Sequence, residues 1–182
     1  MGFRKTGLAL TENEGILLAL ISRAEPITAY HVAKAYERSP VSTFNTSRGK
    51  LYPMIQRLRA AGLLRGVAVS GDGRRTEKLE TTEQGKEAIK LWIQEIRPAH
   101  LLPEDPLRTK VQSMDMLSKD QKIKWLTELK IQLLKKLEDV EEYGKKVSVA
   151  HQKLVHDNAV RTIRSRMDWL ELVLHDVVNE EA

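Results

Sequence analysis

The sequence predicts a mainly α-helical protein with one small β-hairpin, and two observations carry this prediction. Leu51, Ile55 and Leu58 are spaced as i, i+4 and i+7, which places them on one stripe of an α-helix. After Gly62, a residue type that often ends helices, two strand-like segments flank the turn Gly-Asp-Gly. A helix followed by a hairpin is the order of a winged helix-turn-helix, in which the helix enters a DNA groove and the hairpin reaches the neighbouring backbone.

The distribution of charge supports this interpretation. The 182 residues are 41% hydrophobic and 30% charged, with a net charge of +5, a composition typical of a globular protein. Residues 45–78 alone hold eight Lys and Arg against two Asp and Glu. Such a concentration of positive charge on the predicted helix and hairpin is expected of a surface that faces phosphates.

Two further helices are predicted before this one. Thr11 and Glu14 form a capping-box pattern, which starts a first helix through the apolar segment ILLALI. Thr28 is placed to cap a second helix over residues 29–38. The loop that follows is longer than the tightest helix-turn-helix turn.

The hairpin and a fourth helix complete the N-terminal part. The strands are predicted over residues 63–70 and 74–81. Thr81 and Gln84 form another capping-box pattern, which predicts a helix from there to about Arg97. Four apolar residues at helical spacing are its predicted packing positions: Ala88, Leu91, Trp92 and Ile96.

The rest of the chain predicts a linker and long helices. Residues 98–106, PAHLLPEDP, contain three prolines and are predicted to be a linker. Ser118 and Gln121 cap a long helix predicted over residues 119–147, and a final helix follows over about 149–178.

The final helix has the most regular apolar pattern in the chain. Its heptad seam, with apolar residues alternately three and four apart, consists of Val160, Ile163, Met167, Leu170, Leu174 and Val177. We expect these residues to form a homodimer interface; a hairpin with helix 119–147 of the same chain is the alternative. The sequence thus predicts a winged helix-turn-helix domain (1–97), a linker (98–106) and a C-terminal α-helical dimerisation domain (107–182).

Several of these segments resemble the PadR family of bacterial transcriptional regulators. The resemblance rests on LTENEGILLALI in the first helix, AYHV at residues 29–32, and KLYP at residues 50–53 followed by RLRAAGLL. The hairpin and TTEQGKEAIKLW continue it, whereas the C-terminal half matches mainly in pattern. The resemblance implies a dimeric winged helix that binds double-stranded DNA. Members are usually repressors, and some respond to small aromatic or lipophilic compounds.

The predicted DNA-binding residues come from the spacing and charge of the sequence and from the family resemblance. Away from the apolar stripe of the third helix, or at its start, lie Ser47, Arg48, Gly49, Lys50, Pro53 and Arg57. The hairpin contributes Arg74, Arg75 and Lys78. The family resemblance adds Tyr30 and Tyr52 by position. SRGK stands at residues 47–50 where members often have SPGT, so two extra charges lie at this end of the helix, and we expect an altered base preference. No residue is assigned to an effector.

Other classes of function find less support. The five histidines form no HExxH or triad-like setting, and no glycine-rich phosphate loop is present, so neither an enzyme nor a metal or other cofactor is predicted. No apolar run reaches the length of a membrane helix, and the N-terminus lacks a signal-peptide pattern, so we expect a cytoplasmic protein. The alternative is a helical protein–protein interaction module without specific DNA binding. The basic residues of the third helix and hairpin argue against it.

Overall fold

A computed structural model describes residues 9–40, 48–68, 77–102 and 104–180 of the chain. The helices are α1 (Glu12–Ala24), α2 (Ala29–Arg38), α3 (Arg48–Ala60), α4 (Glu83–Gln94), α5 (Leu107–Gln112), α6 (Lys119–Lys146) and α7 (Gln152–Asn179). The strands are β1 (Leu64–Ala68) and β2 (Glu77–Thr81), and short 3-10 turns occupy Pro98–Leu101 and Met114–Met116. The predicted fold class, mainly α with a small hairpin followed by long C-terminal helices, is confirmed.

The chain divides into two compact units, Met1–Leu101 and Leu102–Ala182. The segment predicted to be a linker, residues 98–106, contributes to both. Its first part forms the 3-10 turn, and its Asp105 Oδ2 accepts a hydrogen bond of 2.7 Å from Arg166 Nε. The assignment of this segment as a linker stays a prediction.

The helix starts follow the capping patterns of the sequence. At α1, the Glu14 N–H donates to Thr11 Oγ1 (3.3 Å) and the Thr11 N–H donates to Glu14 Oε2 (2.9 Å). Thr28 Oγ1 caps α2 by accepting from the backbone N–H of the residue three positions on, at 3.2 Å. Ser118 and Gln121 form the same reciprocal box at α6. These caps satisfy backbone donors that the first turn of a helix leaves without partners.

The predicted start of α4 was wrong by one residue. Thr82, not Thr81, is the cap, and its Oγ1 accepts from the Gly85 N–H at 3.0 Å. Thr81 is the buried last residue of β2, where it pairs with Leu64. The helix also ends at Gln94 rather than near residue 97.

Two of the four predicted packing positions of α4 were also wrong. Leu91 is 67% exposed and Ile96, beyond the end of the helix, is 78% exposed. Ala88 and Trp92 pack against the core as expected, and Ile89, which is not among the predicted positions, is buried there. The helix therefore buries a narrower face than its apolar content indicates.

The hairpin belongs to a slightly larger β structure. β1 and β2 are antiparallel, with Leu64 opposite Thr81 and Gly66 opposite Leu79. Ile27, between α1 and α2, forms a bridge to Leu79: its N–H donates to the Leu79 oxygen (3.3 Å) and its oxygen accepts from the Leu79 N–H (2.7 Å). No sequence pattern had marked Ile27 as a strand residue.

The described part of the first unit packs around a core between α1, α2, α3, α4 and the hairpin. Its most deeply buried members are Leu17, Leu18, Ile21, Val32, Leu51, Ile55, Leu58, Leu63, Leu64 and Leu79. The predicted stripe of α3 is thus confirmed as its packing side. Met54, on the same side of α3, joins it.

The second unit is built on the pair α6 and α7. At one end of the pair, Gln152 Nε2 donates to the Gly144 oxygen, and at the other Lys119 Nζ donates to the Glu180 oxygen at 2.7 Å. These contacts make the pair an antiparallel hairpin. Among the described residues, no helix combines the length and the apolar content that crossing a membrane requires.

Candidate nucleic-acid interface

One side of α3 is open to solvent. Gly49, Lys50, Pro53 and Arg57 are exposed, and Tyr52 is about half-exposed, whereas the core stripe faces inward. This side carries the cations Lys50 and Arg57 and the small residues Gly49 and Pro53, so the backbone and base edges of a nucleic acid can approach the helix closely. Of the other predicted members, α3 starts at Arg48, whose side chain lies outside the described part, as does Ser47.

Tyr30 lies on the first turn of α2 and is half-exposed. Its ring meets the His31 ring edge-on at 5.4 Å between centroids, and Lys34 Nζ lies 5.3 Å from its centroid. The second contact is a cation–π interaction, which places a positive charge beside an aromatic face. A phenol and an ammonium group so arranged can contact a phosphate from α2.

Arg57 has a partner that the sequence did not indicate. Its Nη2 lies 3.3 Å from Glu14 Oε1, and the Glu14 side chain is only 9% exposed. The same carboxylate accepts hydrogen bonds from the Thr11 backbone and hydroxyl. Arg57 remains 65% exposed, so one guanidinium edge holds α3 to the start of α1 while the rest faces solvent. Its predicted DNA contact stays a prediction.

The wing consists of β1, β2 and the connecting residues 69–76. Lys78 lies on β2 and is partly exposed. Arg74 and Arg75 fall in the connecting residues, outside the described part of the chain. At the start of β2, next to the connecting residues, Glu77 pairs with Arg59 of α3.

The heptad seam of α7 is largely packed inside its own chain, in the hairpin that α7 forms with α6. Val160, Leu170 and Val177 are buried. Ile163, Met167 and Leu174, which are partly buried, pack against the cluster that α6 and α7 share. The sequence prediction gave these residues to a dimer, whereas packing within the α6–α7 hairpin already accounts for the pattern. Large apolar residues do remain exposed elsewhere on the two helices: Ile131, Leu134, Leu154, Val155, Leu172 and Val178.

An open cleft of about 510 Å³ lies in the second unit. Its lining is Glu104, Asp105, Arg108, Arg161, Thr162, Ser165, Arg166 and Trp169. Two of these lining residues, Asp105 and Arg166, are hydrogen-bonded to each other. Its three arginines and two acids nearly balance, so the lining has hydrogen-bonding groups and an aromatic ring but little net charge. Among the described residues, no group of three or more His, Asp or Glu side chains is placed to hold a metal ion.

Three helices followed by a hairpin wing, with an exposed basic side on the third helix, are the arrangement of the winged-helix class of DNA-binding proteins. The family model of the PadR-like transcriptional regulators matches residues 17–91, from α1 to α4. This match agrees with the resemblance to the family that the sequence motifs of this region show.

Solved structures of similar fold extend over both units. Bacillus subtilis PadR in complex with operator DNA matches with a TM-score of 0.75 and 18% identity, covering 91% of this chain and 98% of that one. The same protein with p-coumaric acid gives a TM-score of 0.70 at 18% identity, covering 94% and 100%. The Vibrio cholerae virulence activator AphA gives 0.70 at 15% identity, covering 93% and 100%. A comparison with curated protein sequences found no significant match. At these identities the likeness shows the fold.

Proposed function

We propose that this protein is a dimeric, sequence-specific transcriptional repressor that binds a dyad-symmetric operator through α3 and the wing. The observation that carries the proposal is the exposed side of α3, with Lys50 and Arg57 opposite a buried apolar stripe and the wing following in the chain. B. subtilis PadR, whose fold is similar, has been crystallised with operator DNA. We place this DNA-binding function in the cytoplasm, and we assign no enzymatic activity.

A dimer sets the geometry of the operator. Two copies related by a two-fold axis present two α3 helices, so the half-sites are related by dyad symmetry. If both helices enter successive major grooves, the half-sites lie about 34 Å apart, one turn of DNA. The buried residues of the α7 seam already pack within one chain. We therefore expect the exposed apolar residues of α6 and α7 to supply much of the contact between the two copies.

The proposal includes an effector of small aromatic or lipophilic character. B. subtilis PadR has been crystallised with p-coumaric acid. In this chain the cleft beside Trp169 offers a ring for stacking and hydroxyls for hydrogen bonds. Titration of aromatic acids against the DNA complex tests this part. Release of the DNA by wild-type protein, but not by Trp169→Ala, supports the cleft as the effector site.

The main experiment selects DNA from a random pool with the purified protein and measures binding as salt is raised. We expect one enriched motif with dyad symmetry, and affinity that falls steeply with salt. Replacing both Arg74 and Arg75 by Ala is expected to weaken binding without changing the melting temperature. If no motif is enriched and the protein is retained equally by all DNA, specific binding is refuted and the interaction-module alternative is favoured.

The direction of regulation needs a separate measurement. The similar fold of V. cholerae AphA is that of a virulence activator, so the fold alone does not separate repression from activation. In vitro transcription from a promoter that contains the selected motif should fall as protein is added. A rise would show that the protein is an activator.

A further inference from the structure

The start of β2, the end of that strand that lies next to the connecting residues of the wing, is joined to α3 by a forked ion pair. Arg59 Nη1 lies 2.7 Å from Glu77 Oε2, and Arg59 Nη2 lies 2.9 Å from Glu77 Oε1. Arg59 is in the last turn of α3, and Glu77 is the first residue of β2, directly after the connecting residues 69–76. Two parallel hydrogen bonds fix direction as well as distance. The pair therefore ties the end of the helix to the far end of β2, where the chain leaves the connecting residues.

Gly66 provides the space that this pair needs. It lies in β1, two residues before Ala68, the residue opposite Glu77. A Cβ atom at Gly66 would stand 1.7 Å from Glu77 Oε1 and 2.2 Å from Glu77 Cδ. The Glu77 side chain thus lies across the glycine. Because the clashing atoms are at the end of a flexible side chain, Gly66→Ala would move the carboxylate away from Arg59 rather than unfold the strand.

A second ion pair in the same hairpin serves as a matched control. Glu80 Oε2 accepts from Arg65 Nη2 at 2.7 Å and from Arg65 Nε at 3.0 Å. These two residues are opposite each other on β1 and β2, so their bond joins strand to strand. Removing it deletes the same kind of charge from the same hairpin but leaves the link to α3 in place.

We propose that Arg59, Glu77 and Gly66 form a clamp that fixes the direction of the wing relative to α3, and that Glu77 is a positioning residue for DNA binding. The inference rests on the proposed function. A two-stranded hairpin is only marginally stable by itself, so its direction depends on what it is attached to. A wing that is already positioned loses less conformational freedom when it binds.

Charge and positioning predict opposite effects for Glu77→Gln. Removing a negative charge from a surface that faces phosphates raises affinity if charge alone matters. If the clamp positions the wing, the same change lowers affinity. Exposed ion pairs couple weakly, so we expect a loss of about two- to fivefold in affinity. Gly66→Ala changes no charge and should give a loss of similar size.

The first test measures the affinity of the full-length protein for the DNA that the wild type selects. We expect Glu77→Gln and Gly66→Ala to weaken binding, Glu80→Gln to bind as tightly as wild type or more tightly, and all three to melt close to wild type. Glycine at residue 66 has no positive φ, so Ala suits its backbone and the melting control is meaningful. Equal or tighter binding by both clamp variants would overturn the proposal, as would an equal loss in Glu80→Gln.

The second test needs no DNA and separates failure of the clamp from failure of the proposed function. The chain has no cysteine, so Gln56→Cys on α3 and Val67→Cys, at an exposed residue of β1, can carry spin labels without background. With labelled protein diluted in unlabelled protein, the clamp predicts a broader distance distribution in Glu77→Gln and Gly66→Ala than in wild type and Glu80→Gln. If the wild type binds no DNA specifically but the distances broaden, the clamp stands and the proposed function fails. Unchanged distributions overturn the clamp whatever the DNA result.

Discussion

Leu170→Ala tests whether the seam of α7 is used within one chain. Leu170 is 1% exposed and lies in the cluster between α6 and α7. The change removes three carbon atoms, so at about 0.8 kcal/mol per buried CH₂ the lost transfer free energy is about 2.4 kcal/mol. The cavity that remains raises the total to roughly 3–5 kcal/mol of unfolding free energy.

The same helix offers a control two residues away. Leu172 is 67% exposed, so Leu172→Ala should change the unfolding free energy by less than about 0.5 kcal/mol. Urea unfolding followed by circular dichroism measures both variants, and sedimentation reports their association. Packing within the chain predicts that Leu170→Ala loses stability by the same amount at two protein concentrations. A variant as stable as wild type, but monomeric, would show that Leu170 serves the dimer instead and would refute this reasoning.

Three further predictions concern the first unit. Arg57→Ala removes the partner of Glu14, so it should lower the unfolding free energy measured in urea by about 0.2–1 kcal/mol. If Arg57 contacts phosphate, the same change should lower the salt slope of DNA binding by about one. An unchanged slope would show that Arg57 is not part of the interface. Gly15→Ala places a Cβ atom 2.2 Å from the Trp92 ring, so it should destabilise the protein by about 1–3 kcal/mol in spite of alanine's better helix propensity; an unchanged urea midpoint would contradict this packing. Burial raises the pKa of the Tyr36 hydroxyl above its ordinary value, so the folded protein holds this proton more tightly than the unfolded chain, and the resulting stability is present below pH about 10 and lost above it. As pH is raised past about 10, the unfolding free energy should therefore fall less in Tyr36→Phe than in wild type. An equal fall in the two proteins would contradict the burial of this hydroxyl.

The helix starts show how far local sequence reaches. The caps at Thr11, Thr28 and Ser118 form as predicted, because each hydrogen bond joins residues three apart and needs no distant partner. At α4, Thr81 and Thr82 are adjacent, and local sequence does not distinguish which of them caps the helix. Pairing of Thr81 with Leu64 places Thr81 in the sheet and leaves Thr82 to cap the helix.

Apolar periodicity predicted which elements are helices better than it predicted what covers them. The stripe of α3 is buried as expected, since a single stripe permits one packing side. In α4, where apolar residues lie on more than one side, the approach of Trp92 to Gly15 selects the buried side and leaves Leu91 exposed. The seam of α7 indicated that a partner helix exists, and the tertiary structure shows α6 of the same chain in that place.

The candidate site also has features that the sequence predicts and features that only the tertiary structure decides. The sequence by itself determined the helix order, the hairpin, the side of α3 that is left open and the resemblance to the PadR-like family. These features depend on spacing and on residue types within a few turns of chain. Only the tertiary structure joined Arg57 to Glu14, Arg59 to Glu77 and Ile27 to Leu79. Each of these pairs joins residues far apart in the chain, and many other charged or apolar residues could have filled either place. Packing of the core brings these particular side chains within bonding distance, and that information is not local.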